Sequence, residues 1–231
     1  MAQTPIKRAF VIAFRDSLPV LTGFGFLGMA YGILMSSKGY GAVWSLLMSG
    51  LAFCGSMQFV AVTLLTTVFD PVQAFLMSLA VNARHLVYGI SMLAQYRGIG
   101  KSKPLLVALL CDETFSIVCG RPVPKDADRT WYYIFVSLLD YVYWVTASFL
   151  GGLLGGALQL NIRGLDFVLT ALFVVMFVEQ WMERTNRRSA LIGVGAAAVC
   201  LWLFGADRFL IPAMLAMLAA LLVLRRKAVT P

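Results

Sequence analysis

Eight residues in three short stretches carry most of the chemistry this apolar chain can offer. In "CGSMQF", Gly55, Ser56 and Gln58 interrupt a hydrophobic run; in "NARHLVYG", Asn82, Arg84 and His85 fall within four residues, and His85 is the only histidine; in "CDETF", Asp112 and Glu113 stand side by side. An ionisable group near the centre of a membrane span costs roughly 2.5–3.5 kcal/mol on insertion scales, so such groups face a partner, a cavity or water. On a helix, Asn82, His85 and Gly89 share one face at i, i+3 and i+7, and Arg84 and Tyr88 share another at i, i+4. Two chemistries fit. Arg84 can pair with Asp112 or Glu113 to hold helices together, or the same groups can line a polar pathway or substrate site. His85, whose unperturbed pKa lies near neutrality, and the two carboxyls are candidate proton carriers. Gly55 and Ser56 fit either a small-residue packing face or a discontinuous helix whose free amides bind a carboxylate.

The elements that position these residues are read from composition and hydropathy. The chain has 231 residues, 60% hydrophobic and 13% charged, with a mean hydropathy of +0.83. Runs of about 20 uncharged residues are what a bilayer requires. The expected fold class is an all-α polytopic membrane helix bundle forming a single transporter domain over 1–231. Nucleic acid is excluded as the partner of the +8 net charge, because the basic residues lie between apolar runs rather than on one face. The four cysteines fall in apolar segments with neither metal nor disulfide spacing; no metal and no cofactor is expected. The N-terminus, with Arg15-Asp16 where a cleavage site would fall, does not resemble a cleaved signal peptide.

Eight apolar segments are predicted as helices: 17–36, 42–66, 71–95, 104–120, 131–158, 165–182, 189–206 and 209–224. With eight crossings and both termini cytoplasmic, four basic clusters share one side: Lys7, Arg8 and Arg15; Arg121, Lys125 and Arg129; Arg184, Arg187 and Arg188; and Arg225, Arg226 and Lys227. Arg97, Lys101 and Lys103 would then face outside. Either that loop breaks the rule or the third and fourth segments are not both simple crossings. A broken or re-entrant element near Asn82 would account for it, leaving seven or eight transmembrane segments. A weak internal repeat relates halves 17–120 and 131–224, with Gly-xxx-Gly at Gly28/Gly32 and Gly152/Gly156, and Gln58 matched by Gln180.

Taken together in this order and spacing, "CGSMQF", "NARHLVYG", "CDETF" and the opening "RDSLPVLTGFGFLGMAYGI" resemble the AzlC family over residues 14–180. The resemblance implies the larger subunit of an exporter of branched-chain amino acids (valine, leucine, isoleucine). It also implies the bacterial cytoplasmic membrane as location and a small AzlD-like membrane subunit as partner. On that reading, the substrate carboxylate goes to Gly55, Ser56 and Met57 amides or to Arg84, and the ammonium to Asp112, Glu113 or Asn82. Gln58 belongs to the same substrate site, and Phe59 and Phe115 are candidates for the aliphatic pocket. His85, Asp112 and Glu113 are the coupling or ion-pair residues.

The chain lacks a G-x-x-x-x-G-K-[ST] phosphate loop and a soluble part large enough for an ATPase. Uphill transport would therefore draw on an ion gradient, with the proton as the expected ion. The alternatives are a passive channel, a scaffold subunit whose partner carries the site, and an intramembrane hydrolase built on Ser56 and His85. The expectation is that the chain is not an enzyme.

Overall fold

The computed structural model describes residues 4–68, 70–120, 123, 124, 126–157 and 187–205, with single positions between 170 and 182 and between 209 and 220. The chain forms two compact units, residues 1–74 with 81–166 and residues 75–80 with 167–231. The described residues are helical, without strands.

In the first unit, α1 (Pro5–Ser37) and α7 (Arg129–Ala157) are long and apolar enough to cross a membrane. They lie parallel and touch backbone to backbone. A methyl group on Gly28 would sit 2.7 Å from the Ala147 Cβ, and one on Gly155 would sit 2.8 Å from the Ser36 Cβ. At Gly32 and Gly151 it would overlap the facing main chain itself, at Ser148 and Met29 respectively. Small residues allow this approach, and close packing is what drives helices together in lipid. The Gly-xxx-Gly of α1 therefore finds its complement in α7. Gly152 faces Ala42 and Ser45 of α2 instead, and Gly156 is in ordinary contact with Ser36. In the second half of the expected repeat, Gln180 and much of the sixth and eighth apolar segments lie outside the described residues.

The second apolar segment is two helices, α2 (Ala42–Leu51) and α3 (Gly55–Thr66). At ~1.5 Å per residue neither spans ~30 Å of hydrocarbon. They form a re-entrant hairpin: the Tyr40 hydroxyl, just before α2, donates to the Leu65 carbonyl at the end of α3 at 3.2 Å. Both ends of the hairpin thus lie at the end of the bundle where α1 finishes. Gly39, with φ +89°, closes α1 and turns the chain into the hairpin.

The third segment, α4 (Pro71–Gln95), is unbroken through Asn82. It runs back to the end where α1 and α7 begin. There the Arg129 guanidinium donates to the Gln95 carbonyl, Tyr96 packs edge-on against Tyr133 with ring centroids 5.6 Å apart, and Arg8 pairs with Asp126 at 2.6 Å. The fourth segment is again split, into α5 (Lys103–Ala108) and α6 (Asp112–Gly120). It too returns to its starting end, since Cys119 lies 3.7 Å from the Met92 sulfur near the end of α4. The discontinuity expected near Asn82 is therefore found on either side of it, at 52–54 and 109–111, in the second and fourth segments. Those two segments fold back instead of crossing. This removes the conflict over Arg97, Lys101 and Lys103: that loop lies at the same end as Arg8 and Arg129.

Neither break contains proline; α7 holds both. The Tyr141 hydroxyl donates to the Gly50 carbonyl at 2.8 Å, taking an acceptor freed where α2 ends. The Trp144 indole packs on Gly55, where an added methyl would lie 3.0 Å from the ring, and its Nε1–H donates to the Gln58 Oε1 at 2.6 Å. One residue before Tyr141, Asp140 accepts from Thr114 of α6 at 2.8 Å. Trp144→Phe withdraws the outer indole ring from Gly55 and strips Gln58 of its donor in a site where Gln58 is 1% exposed. The expected loss is about 1–3 kcal/mol, read as a lower thermal unfolding midpoint in detergent and relieved in part by adding Gln58→Leu.

In the second unit, α8 (Arg187–Phe204) is a further helix of membrane-spanning length and hydropathy. Gly205, with φ +71°, ends it.

Candidate functional site

The tips of the two hairpins meet beside the middle of α4. A cavity of about 280 Å³ opens there, lined by Phe53 and Cys54 of the first tip, Val107, Ala108 and Leu110 from α5 and the second tip, and Asn82, His85 and Gly89 of α4. The i, i+3, i+7 face legible in the sequence is thus the face α4 turns to the cavity. Its volume falls just below the roughly 300–1,000 Å³ typical of small-molecule sites. Its lining suits such a site: a few polar groups against apolar walls.

The other face of α4 binds the tips together. The Arg84 guanidinium makes an ion pair with Asp112 at 2.8 Å, at the start of α6, and donates to the Ser56 Oγ at 2.7 Å, in the first turn of α3. One side chain thereby ties both half-helix N-termini to the crossing helix. The Cys54 thiol adds a third tie, donating to the Asn82 Oδ1 at 2.8 Å. Tyr88, one turn beyond Arg84, stacks on Phe115 of α6 at 4.4 Å between centroids.

The two half-helix N-termini differ electrostatically. The first turn of α6 carries its own carboxylates, Asp112 and Glu113. The first turn of α3 has no acidic residue, and its preceding residue, Cys54, makes no side-chain cap. The partial positive charge of unpaired amides is therefore offset at α6 and open at α3, where an anion is favoured.

The structure separates the predicted residues into groups. Ser56, Asn82, Arg84, His85 and Asp112 cluster around the cavity and the tips, with Gly55 beginning α3. Gln58 is turned away from them. Two residues beyond Ser56, on the opposite face of α3, its amide donates to the Ser49 Oγ at 3.3 Å and accepts from Trp144. Glu113 lies ~100° around the helix from Asp112, and Arg84 pairs with the latter. Phe59 is buried in an edge-on contact with Tyr31 and Phe115 stacks on Tyr88; the apolar cavity walls are Phe53, Val107, Ala108 and Leu110 instead. Ser56 receives a hydrogen bond from a permanent cation, an arrangement unlike that of a serine activated by a histidine base. Among the described residues no group of three or more His, Cys, Asp or Glu side chains could hold a metal ion.

Sequence reasoning missed the wall residues Phe53, Cys54, Val107, Ala108 and Leu110, which look like any other apolar segment. Asp140 and Thr114 do not line the cavity; their hydrogen bond joins α7 to the first turn of α6, and the carboxylate inside the apolar run 131–158 was its signal in the sequence.

The chain is similar to proteins from several bacteria. It is 49% identical to the "Branched-chain amino acid transport protein AzlC" of Bacillus subtilis (strain 168), over 97% of this chain and 88% of that protein. It is 41% identical to an "Uncharacterized membrane protein" of Haemophilus influenzae, over 91% and 87%, and 26% identical to the "Inner membrane protein YgaZ" of Escherichia coli (strain K12), over 84% and 82%. No solved structure matches it. The family described as "AzlC protein" matches residues 19–158, from within α1 to the end of α7, and so takes in both hairpins, α4 and the cavity. With its membrane-spanning helices and relatives named as membrane proteins, the chain is a multi-pass membrane protein and belongs to the AzlC family.

Proposed function

We propose that this chain is the large subunit of an exporter of branched-chain amino acids, driven by a proton gradient and working with a small AzlD-like subunit. The observation that carries the reading is the cavity at the meeting point of two opposed re-entrant hairpins, with polar groups on α4 and apolar walls on α5 and the tips. It is supported by the name of the Bacillus subtilis relative, a branched-chain amino acid transport protein. A zwitterionic substrate finds complementary groups on the cavity wall and at the hairpin tips beside it. Its carboxylate is directed to the open α3 N-terminus at Gly55 and Ser56 or to Arg84, its ammonium to Asp112 and the Asn82 carbonyl oxygen, and its aliphatic end to Phe53, Val107, Ala108 and Leu110. The basic end of the bundle, with Arg8, Arg97 and Arg129, faces the cytoplasm of a bacterial inner membrane by the positive-inside rule. That orientation puts the N-terminus in the cytoplasm, and the basic cluster at 225–227 does the same for the C-terminus.

The test is counterflow of radiolabelled valine in proteoliposomes, with and without the small subunit and a pH gradient. Valine exchange that an imposed pH gradient accelerates is expected. Exchange absent in every arrangement would refute the substrate assignment, conductance without any coupling ion would make the chain a channel, and transport persisting without this chain would make it a scaffold. Asn82→Ala removes one polar group from the cavity wall and one tie to Cys54. It is expected to raise the apparent substrate constant about tenfold, the equivalent of one lost buried hydrogen bond. Unchanged transport kinetics would move the site away from this cavity.

A further inference from the structure

Asp140 sits at mid-helix in α7 with none of its surface exposed. Its Oδ2 accepts from Thr114 at 2.8 Å, and its Oδ1 is buried with no hydrogen-bond partner. Thr114 has committed its proton to Asp140, so its oxygen accepts from the Cys111 thiol, 3.2 Å away. The groups packed around the carboxyl are few. The second tip and α6 bring Cys111, Thr114 and Glu113. Among the groups of α1, Asp16 is two turns along α7 at the Tyr132 hydroxyl, and Tyr31 is beside Trp144. Tyr96 follows α4 and packs on Tyr133; α2 offers hydroxyls, α3 has no ionisable side chain, and α5 has only Lys103 at its far end. Among the described residues none forms an ion pair with Asp140. A carboxylate enclosed with a single hydroxyl donor loses more solvation than one hydrogen bond returns.

We propose that Asp140 is the proton-binding site of the transport cycle, linked to the cavity through the first turn of α6. This rests on the reading of the chain as an ion-driven transporter. Thr114 and Asp112 share that turn: one bonds the Asp140 carboxyl, the other the Arg84 guanidinium. Loss of the proton from Asp140 strengthens its pull on Thr114 and its need for further donors. A shift of the turn towards α7 draws Asp112 from Arg84, which also holds Ser56 at the other tip. Both hairpin tips thereby respond to one proton. A route is built along α7 as well, since Tyr133, Ser137 and Asp140 fall on one face at i, i+4 and i+7. The Ser137 Oγ is buried and without a partner, and Tyr133 reaches the basic end, where its hydroxyl accepts from Arg129 at 3.2 Å. The Asp140 O–H bond breaks, and water-bridged hydroxyls each pass one proton towards that end and receive one. A proton from the cavity side then reforms the bond, so only the proton is displaced.

Two measurements on the full chain with its partner subunit test this. The first needs no substrate: infrared difference spectroscopy across a pH step. A protonated-carboxyl band is expected at near-neutral pH, absent in Asp140→Asn and displaced in Thr114→Val, which keeps the shape and removes the donor. No such band, or one indifferent to both variants, overturns the proposal. The second is transport. Asp140→Asn is expected to keep valine counterflow and to lose about tenfold or more of the pH-gradient-driven rate. Gradient-driven transport at the wild-type rate in Asp140→Asn overturns the proposal, as does dependence on sodium in place of protons, or uncoupling by His85→Gln while Asp140→Asn stays coupled. If wild-type protein exchanges no valine, the substrate reading falls, and the infrared band alone decides whether Asp140 binds the proton.

Discussion

Gly32→Ala is expected to leave little folded protein. The new methyl would meet the Ser148 carbonyl oxygen, the Gly152 amide nitrogen and the Gly151 carbonyl carbon, all main-chain atoms of α7. A flexible side chain could rotate away from such an intrusion, but a helix backbone yields only by moving the whole element. Overpacking a close-packed interior typically costs about 1–3 kcal/mol and more when rigid atoms are struck; about 3 kcal/mol or more is expected here. The effect spreads because α7 also carries Asp140, Tyr141 and Trp144, the residues that hold both hairpin tips. The matching control lies on the same helix. Gly23 has nothing within 4 Å of an added Cβ, and Gly23→Ala should be neutral or slightly stabilising, since alanine is the better helix former. Size-exclusion profiles and thermal unfolding of the two variants in detergent provide the comparison. Equal behaviour of Gly23→Ala and Gly32→Ala would mean that α1 and α7 do not meet through their glycines.

Arg84→Ala and Asp112→Ala should each damage the protein, and their combination should restore its folding but not its transport. Each single change leaves the other charge without its counter-ion in an apolar setting. The side chains are about a quarter exposed, 25% and 26%, so the expected loss is about 3 kcal/mol, at the lower end for a broken buried pair. The double variant removes both charges and most of that penalty. It cannot restore the donor that Arg84 gives Ser56, so the first tip keeps only the Cys54–Asn82 tie to α4. Yield of folded protein and valine counterflow read the two consequences separately. Normal folding and transport in all three variants would show that the pair neither holds the tips nor serves the substrate, whereas recovery of both properties in the double variant would reduce the pair to a purely architectural role.

Much of the site was legible before any tertiary structure. Hydropathy marked the apolar segments because lipid leaves the backbone few options besides helix. Pro71 and Gln95 bound the third segment as read from the chain, since proline suits a helix start. The face formed by Asn82, His85 and Gly89 followed from the 3.6-residue period alone, and so did its separation from Arg84 and Tyr88. Spacing by itself left both Asp112 and Glu113 open as partners of Arg84, because neighbours on a helix differ by ~100°; the structure pairs Arg84 with Asp112.

The breaks at 52–54 and 109–111 were decided by tertiary contacts. Neither contains a proline, and glycine and serine in an apolar run are equally compatible with a continuous packing face. What ends α2 and begins α3 is a set of side chains ninety residues away: Tyr141 accommodates the freed Gly50 carbonyl, and Trp144 covers Gly55 and engages Gln58. The same contacts explain why Gln58, polar and at membrane depth, serves the core and not the cavity. Asp140 is the parallel case in the second break. Local sequence reports what a segment prefers by itself, and in lipid a lone apolar run prefers an unbroken helix. Only another helix supplying donors, acceptors and an aromatic wall at the right height makes the interrupted form the more stable one, and that supply depends on distant residues meeting in three dimensions.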